Sequence, residues 1–301
     1  MHIIGHRKER ARLKKLAAGD TFSQGYLFFG PQSVGKTLCA EEFAYQLVGE
    51  PDFEPSANKP HPFDVSIMRP ETETKRGVTK QKSISAKVVR DALLFLGHFP
   101  VSGRFRVVIV EEAHKLSPPA QNVLLKTLEE PQSSAVIILV THELGSIIPT
   151  ILSRIEKVRF GYVPLAEIQA GADAILPPGV AESIAPFFFS LGRPGMIIRA
   201  AEDRERFADE KDMLERLFRL SALTLAERMQ LAEELAKDVP EAVRLMEWWL
   251  PGLHTQALKH TDIRSTGRFF GLLEHVEQTL ILLKTTQSNA RLLLEKLFFS
   301  L

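Results

Sequence analysis

The chain has 301 residues, 38 lysines and arginines against 37 aspartates and glutamates, one cysteine and 45% apolar residues. That is enough apolar material for one large core or for several smaller ones, and a formal charge of +1 supplies no overall field to draw the molecule onto nucleic acid or anionic lipid. A lone Cys39 excludes an internal disulfide and any zinc site built on two or more thiolates. No apolar run approaches the roughly 18 residues of a membrane span, and the basic start MHIIGHRKERARLKK has no apolar signal region, so the expectation is a cytoplasmic chain with no membrane partner.

Up to about Phe160, short β-branched or aromatic runs alternate with longer amphipathic stretches and predict strands at 26–29, 64–68, 105–110, 135–140 and 157–160. The connections are long enough for right-handed crossovers, and the near-continuous apolar runs VVIV and VIILV suit parallel strands covered on both faces. The expected fold of this part is therefore a doubly wound α/β domain on a five-stranded parallel sheet. Between the second and third strands, residues 69–87 are polar with six Lys or Arg. They read as an exposed loop, with a nucleic-acid contact as the alternative, running into a helix that begins near Ser83 or Ser85. In SPPAQNVLLKTLEEP, Ser117 is placed to cap a helix with Pro118 at its first position, and Pro131 ends it.

From Pro164 onward no strand is predicted, and Pro177-Pro178-Gly179 and Gly192-Arg193-Pro194-Gly195 divide the segment into short helices. After about Glu205, Leu, Met and Phe recur at helical spacings through MLERLFRL, RMQLAEELA, AVRLMEWWL and RLLLEKLFF, which predicts an all-helical module. Trp248, Trp249 and the leucines at 292–294 read as core. Phe298 and Phe299 read either as core or as a partner surface.

The chemistry sits at Gly30-Pro31-Gln32-Ser33-Val34-Gly35-Lys36-Thr37, followed by Leu38, between the strand YLFF and the helix TLCAEEFAYQL. This GxxxxGKT spacing wraps a phosphate in backbone amides, with Lys36 neutralising phosphate charge and the Thr37 hydroxyl placed to ligate Mg²⁺. At the end of the third strand, FRVVIVEEAH supplies two carboxylates: Glu111 for the metal and Glu112 as the base that orients the attacking water. Glu111 stands where such a site usually carries Asp, and its extra methylene moves the carboxylate by about 1 Å, a large error for Mg²⁺ geometry. Thr141, after the fourth strand, could touch the terminal phosphate or simply end the strand. Arg154, before the last strand, reads from composition as a surface arginine with a catalytic role as the lesser reading.

IIGH at 3–6, YLFFGPQSVGKT, VVIVEEAHKLSPPAQNVLLKTLEEPQ and IIPTILSRIEKVRF, with SNARLLLEKLFFSL at the end, resemble the AAA+ clamp-loader family of bacterial DNA polymerase III, its delta prime branch above all. The resemblance implies a P-loop AAA+ domain at 1–162, a helical lid at 163–205 and a helical collar at 206–301 that assembles subunits. It implies ATP or ADP with Mg²⁺ at the P-loop, gamma/tau and delta subunits as partners in a heteropentamer, and contact with a sliding clamp and primed DNA through that complex. Ser153 and Arg154 match the family's Ser-Arg pair, which implies that Arg154 acts as a finger in the ATP site of the adjacent subunit.

Three departures shape the expectation. GEPDFEPSANKPHPFDV lacks the four cysteines of the family's zinc module, so no zinc is expected. In LGRPGMIIRA the position of the motor subunits' lid arginine falls on Gly195, with Arg193 and Arg199 as nearby candidates. Glu111 replaces the metal-binding Asp. The expected chain binds nucleotide, hydrolyses it slowly or not at all, and serves as a stator. The alternatives are a gamma/tau-type motor, a P-loop kinase and a binding scaffold whose P-loop is vestigial.

Overall fold

The computed structural model describes residues 3–19, 23–50, 60–75, 78–130, 132–175, 192–197, 212–213, 215–217, 219–259, 263–286 and 288–299. The described residues up to 175, together with 192–196, form one compact unit, and those from 197 onward form a second.

The first unit opens with α1 (Arg7–Ala18), β1 (Gly25–Phe29), α2 (Lys36–Leu47) and β2 (Val65–Met68). After a β3–β4 ribbon (Thr72–Lys75 and Val78–Gln81) come α3 (Ala86–Leu96), β5 (Arg106–Val110), α4 (Pro118–Glu129), β6 (Ala135–Thr141), α5 (Pro149–Leu152), β7 (Glu156–Arg159) and α6 (Leu165–Ile175). Five strands form one sheet in the order β2-β5-β6-β1-β7, all parallel. Each main-sheet strand lies within a residue of its expected position at both ends.

Alternation along each strand sends side chains to opposite faces, and along the central strands β1, β5 and β6 both faces are dry. Tyr26, Phe28, Val107, Ile109, Val136, Ile138 and Val140 pack with Leu13 of α1 and Cys39, Phe43 and Leu47 of α2. The intervening Leu27, Val108, Val110, Ile137 and Leu139 pack with Val89 and Leu96 of α3 and Ala120 and Leu124 of α4. Helices on both faces explain why β1, β5 and β6 read as nearly unbroken apolar runs. Burial drives the Cys39 thiol up to about 12, so this cysteine is a small core residue, not a nucleophile. α3 starts after Ser85 and α4 after Ser117, each serine accepting from a backbone amide, and Pro118 opens α4.

The ribbon corrects the expectation of a loop at 69–87. TETK and VTKQ pair antiparallel, Thr72 with Gln81 and Lys75 with Val78. TETK alternates Thr with charged residues as a strand does, but VTKQ does not, and each strand is only four residues long and carries a Lys, so polarity conceals the ribbon.

One buried charge anchors the start of β2. Asp64, 1% exposed, accepts from the amides of Val101 (2.9 and 2.8 Å) and Ser102 (2.8 Å), and its carboxylate lies 3.3 Å from Arg106 Nε. Arg106 in turn donates to the carbonyls of Phe99 and Phe95. Asp64→Ala strands two amides and a buried guanidinium, so chemical denaturation should show a loss of about 3–5 kcal/mol; Asp64→Asn, which keeps an acceptor, should lose less.

The second unit is helical throughout its described length: α7 (Leu225–Ala236), α8 (Val239–Lys259), α9 (Ile263–Thr285) and α10 (Ala290–Phe299), with α8 against α9 and α7 against α10. Thr224 and Glu227 form a reciprocal capping box at the start of α7. Trp249 and Phe298 are fully buried, with ring centroids 6.5 Å apart. The terminal stripe divides: Leu294 and Phe298 are core, while Leu292 and Phe299 are exposed. The breaker Pro177-Pro178-Gly179, Arg199 and the side chain of Trp248 lie outside the described residues.

Candidate functional site

In an open parallel sheet the loops beyond the carboxyl ends of the strands form the binding crevice, at the point where strand order reverses. Here β1 lies between β6 and β7, and the chain leaves it for the far edge at β2. Phe29 is in register with Thr141 and with Arg159, so the turn after β1, the end of β6 and the end of β7 share one level.

That turn is the GxxxxGKT segment. Gly30 (φ 143°), Ser33 (φ 63°) and Gly35 (φ 102°) carry positive φ, curling the loop before α2 begins at Lys36. Lys36 folds back over the loop, and its ammonium donates to the carbonyls of Gly30 (2.9 Å) and Pro31 (2.5 Å). Burial, reinforced by Arg193, lowers Lys36 to about 7. A desolvated ammonium beside a second cation is stabilised by an anion, and the cradle thus fits the phosphates of a nucleotide.

Gly30, Pro31, Gln32, Ser33, Val34, Gly35, Lys36, Thr37 and Leu38 are contiguous in this loop and the first turn of α2. His6 buttresses it from behind, with Nε2–H donating to the Val34 carbonyl at 2.9 Å and its ring edge-on to Phe160 at 5.0 Å. Burial lowers its pKa. In the sequence His6 stands out only as part of IIGH; its one local signal is the adjoining Gly5, also at positive φ.

The Gly192–Gly195 turn docks on the same loop. The Gly195 amide donates to the Ser33 carbonyl at 2.8 Å, and a Cβ on Gly195 would stand 2.9 Å from that oxygen. An arginine therefore has no room at 195 unless the loop shifts. Arg193 is the cation this turn delivers instead: it is 5% exposed, its guanidinium 5.6 Å from the Tyr162 ring and 3.5 Å from the Tyr162 hydroxyl.

The carboxylates come from the end of β5. Glu112 has φ 48°, a strained conformation for a residue with a side chain, and its Oε2 is buried without a hydrogen-bond partner. Glu111 is ion-paired: Arg69 Nη2 lies 2.9 Å from its Oε1, a charge contact without hydrogen-bond alignment, and 3.9 Å from Glu41 Oε1. Burial raises the Glu111 pKa against the opposing pull of Arg69, and burial with the charge of Glu111 raises Glu41 to about 7. Thr37 and Glu41 are one helical turn apart on α2. A guanidinium on the one carboxylate expected to face a metal does not fit a resident Mg²⁺ at Glu111 and Thr37, because both cations compete for the same oxygen.

Thr141, 1% exposed, accepts from the Glu143 amide at 3.0 Å and donates to its carbonyl at 3.2 Å. Its hydroxyl is 3.4 Å from His114 Nδ1, and His114 and His142 stack edge to face at 4.2 Å. Burial and then His142 lower His114 to about 4, so the His114 imidazole is neutral near pH 7.

Arg154 belongs elsewhere. It follows α5, and its guanidinium is held by the Thr150 carbonyl (3.0 Å), Ser153 Oγ (3.3 Å) and Glu129 (3.0 Å). It remains 39% exposed. Because β7 runs parallel to β1, Arg154 sits at the amino end of β7 while the cradle sits at the carboxyl end. The four residues of β7 span about 13 Å, more than an arginine side chain reaches.

A five-stranded parallel sheet in this order with a P-loop after β1, carboxylates after β5 and helices on both faces is the AAA+ class of P-loop protein. Residues 5–163, more than half of the chain, match the family described as "DNA polymerase III, delta subunit", and the chain belongs to that bacterial clamp-loader family. It is 32% identical over 166 residues to DNA polymerase III subunit tau of Bacillus subtilis, covering 52% of this chain and 28% of that one. To subunit delta′ of Pseudomonas aeruginosa it is 30% identical over 157 residues, covering 48% and 45%. The chain thus spans less than half the length of these relatives. A crystal structure of a gamma subunit-related protein from Thermotoga maritima aligns with 97% of this chain and 98% of its own at TM-score 0.55 and 19% identity, a likeness of fold. Among the described residues no helix is long and apolar enough to cross a membrane.

Proposed function

We propose that this chain is a delta prime-type subunit of the DNA polymerase III clamp loader, which holds ATP or ADP in the cradle at 30–38 and supplies Arg154 to the nucleotide of a neighbouring subunit. The partners are gamma/tau and delta subunits in a heteropentamer that places a sliding clamp on primed DNA in the cytoplasm, with 163–205 as the lid and 206–301 as the collar through which subunits assemble. The observation that carries the reading is the placement of Arg154: half-exposed, pre-oriented by Glu129 and the Thr150 carbonyl, and at the opposite end of β7 from its own cradle. A guanidinium so placed serves a site on another molecule.

In the chain's own site, Lys36, Arg193 and the loop amides bind phosphate and orient it. Glu111 is held by Arg69 and Thr141 is closed into its turn, so the groups that would assist hydrolysis are committed to the protein itself. One observation favours the gamma/tau-type motor: Glu112 Oε2, buried and without a partner, is an acceptor that could orient a water. The test is nucleotide titration and steady-state turnover with the isolated chain. The expected result is nucleotide binding that Lys36→Ala weakens by about tenfold or more, as for a lost charge-assisted contact, with turnover on the order of 10⁻³ s⁻¹, the range of P-loop sites that lack a supplied arginine. Turnover in the range of about 1 s⁻¹ or above by the isolated chain would establish the motor reading instead.

A further inference from the structure

Arg69 is the first residue after β2 and Glu111 the first after β5, and the Glu111 amide donates to the Met68 carbonyl at 2.9 Å. Backbone pairing of the two strand ends therefore sets the 2.9 Å contact between Arg69 Nη2 and Glu111 Oε1, and Glu41 of α2 approaches the same guanidinium from the loop side at 3.9 Å. Glu41 and Glu111 are largely buried, with side-chain exposures of 11% and 17%, and their shared counter-charge is a permanently protonated guanidinium. Mg²⁺ requires hard oxygen ligands in near-octahedral array. To use Glu111 it would have to displace the arginine and leave a second cation within a few ångströms.

The other end of the site is also supplied with positive charge by the protein. Lys36 lies over the loop, and the buried Arg193 is brought to it by the turn that docks Gly195 on Ser33. The charge that a divalent cation would neutralise on a nucleoside di- or triphosphate thus meets Arg193, and Lys36 protonated on anion binding, at the phosphate end and Arg69 at the carboxylate end.

We propose that Arg69 takes the place of the divalent cation at Glu111 and Glu41, so that this chain binds a nucleoside phosphate without Mg²⁺. The inference rests on the nucleotide-binding reading of the cradle and adds to it the form of the ligand: the free polyphosphate, not its magnesium complex. It also gives the replacement of Asp by Glu at 111 a physical use, since the longer side chain reaches a guanidinium on the neighbouring strand.

The test is a fluorescence titration of the intact chain with an N-methylanthraniloyl derivative of ADP at constant ionic strength, in excess MgCl₂ and in excess EDTA. Wild-type Kd should agree between the two buffers within about threefold. Arg69→Ala should free Glu111 for metal and make binding in MgCl₂ about tenfold or more tighter than in EDTA, whereas Arg69→Lys, which keeps the charge, should stay close to wild type. Arg69 is 59% exposed, so neither substitution threatens the core, and the wild-type pair of titrations decides the matter by itself. A wild-type Kd that weakens tenfold or more in EDTA, or an Arg69→Ala variant as indifferent to Mg²⁺ as wild type, overturns the proposal and leaves the nucleotide reading standing. Absence of binding in both buffers overturns both.

Discussion

Arg154→Ala should reduce ATP turnover at the neighbouring subunit's site by about 10³-fold in a reconstituted clamp loader, the usual contribution of an arginine finger supplied in trans. In the proposed role Arg154 acts on charge that develops in the transition state, so the loss should fall on kcat, with little change in the neighbour's affinity for ATP. Nucleotide binding by the isolated variant should equal that of wild type, since β7 separates Arg154 from its own cradle. Stability should change by no more than about 0.5 kcal/mol, because the Arg154–Glu129 pair, with side chains 39% and 49% exposed, is of the kind that contributes little. Arg154→Lys separates charge from shape: an ammonium keeps the charge but not the planar fork, so partial recovery indicates electrostatics and no recovery indicates bidentate contact. Glu129→Ala releases the guanidinium without removing it, and its effect should be the small one of lost orientation. Unchanged turnover with Arg154→Ala would reduce this residue to a solvated surface arginine.

The sequence makes the centre of the sheet legible because β1, β5 and β6 are buried on both faces and carry nearly pure apolar runs, while the edge strand β7 reads EKVR with only Val158 buried. Val107, Val108, Ile109 and Val110 are all 1% exposed or less, and no amphipathic pattern competes with that signal. The same logic hides the β3–β4 ribbon, whose short strands TETK and VTKQ belong to no buried face of the main sheet. The cradle is legible because glycine and lysine spacing encodes loop geometry directly. What surrounds the cradle is less so. Arg69 sits among other basic residues in a polar stretch, and only its place directly after a parallel strand marks it as facing the crevice. Arg193 lies far along the chain, and its burial follows from how the Gly192–Gly195 turn docks on Ser33, a long-range contact that local sequence does not encode. Phe298 and Phe299 show the converse limit: adjacent and identical in type, they part into core and surface through helix phase alone.

Gly30→Ala should be the most disruptive single-methyl change in the cradle, and for a reason different from the one the motif suggests. The spacing GxxxxGKT assigns its glycines to close approach by a phosphate, but a Cβ on Gly30 would stand 2.0 Å from the Phe160 carbonyl oxygen, a backbone atom fixed by the bond from Phe160 N to Phe29 O at 2.8 Å. Together with φ of 143°, which a side chain rarely adopts, the overlap forces apart the ends of β1 and β7. Adding about 1–3 kcal/mol of backbone strain to a similar cost for overpacking gives a loss of about 2–6 kcal/mol, a large fraction of a domain's usual stability. Gly35→Ala is the matched control. Its φ of 102° is also strained, but a Cβ there meets nothing within 4 Å, so only the strain term applies and the chain should remain folded while its loop is altered. Denaturant unfolding and nucleotide titration of the two variants distinguish the roles: Gly30→Ala should lose stability and binding together, Gly35→Ala chiefly binding. Equal stability of the two would show that the first glycine serves the ligand alone, and that β7 yields more readily than its backbone bond to β1 implies.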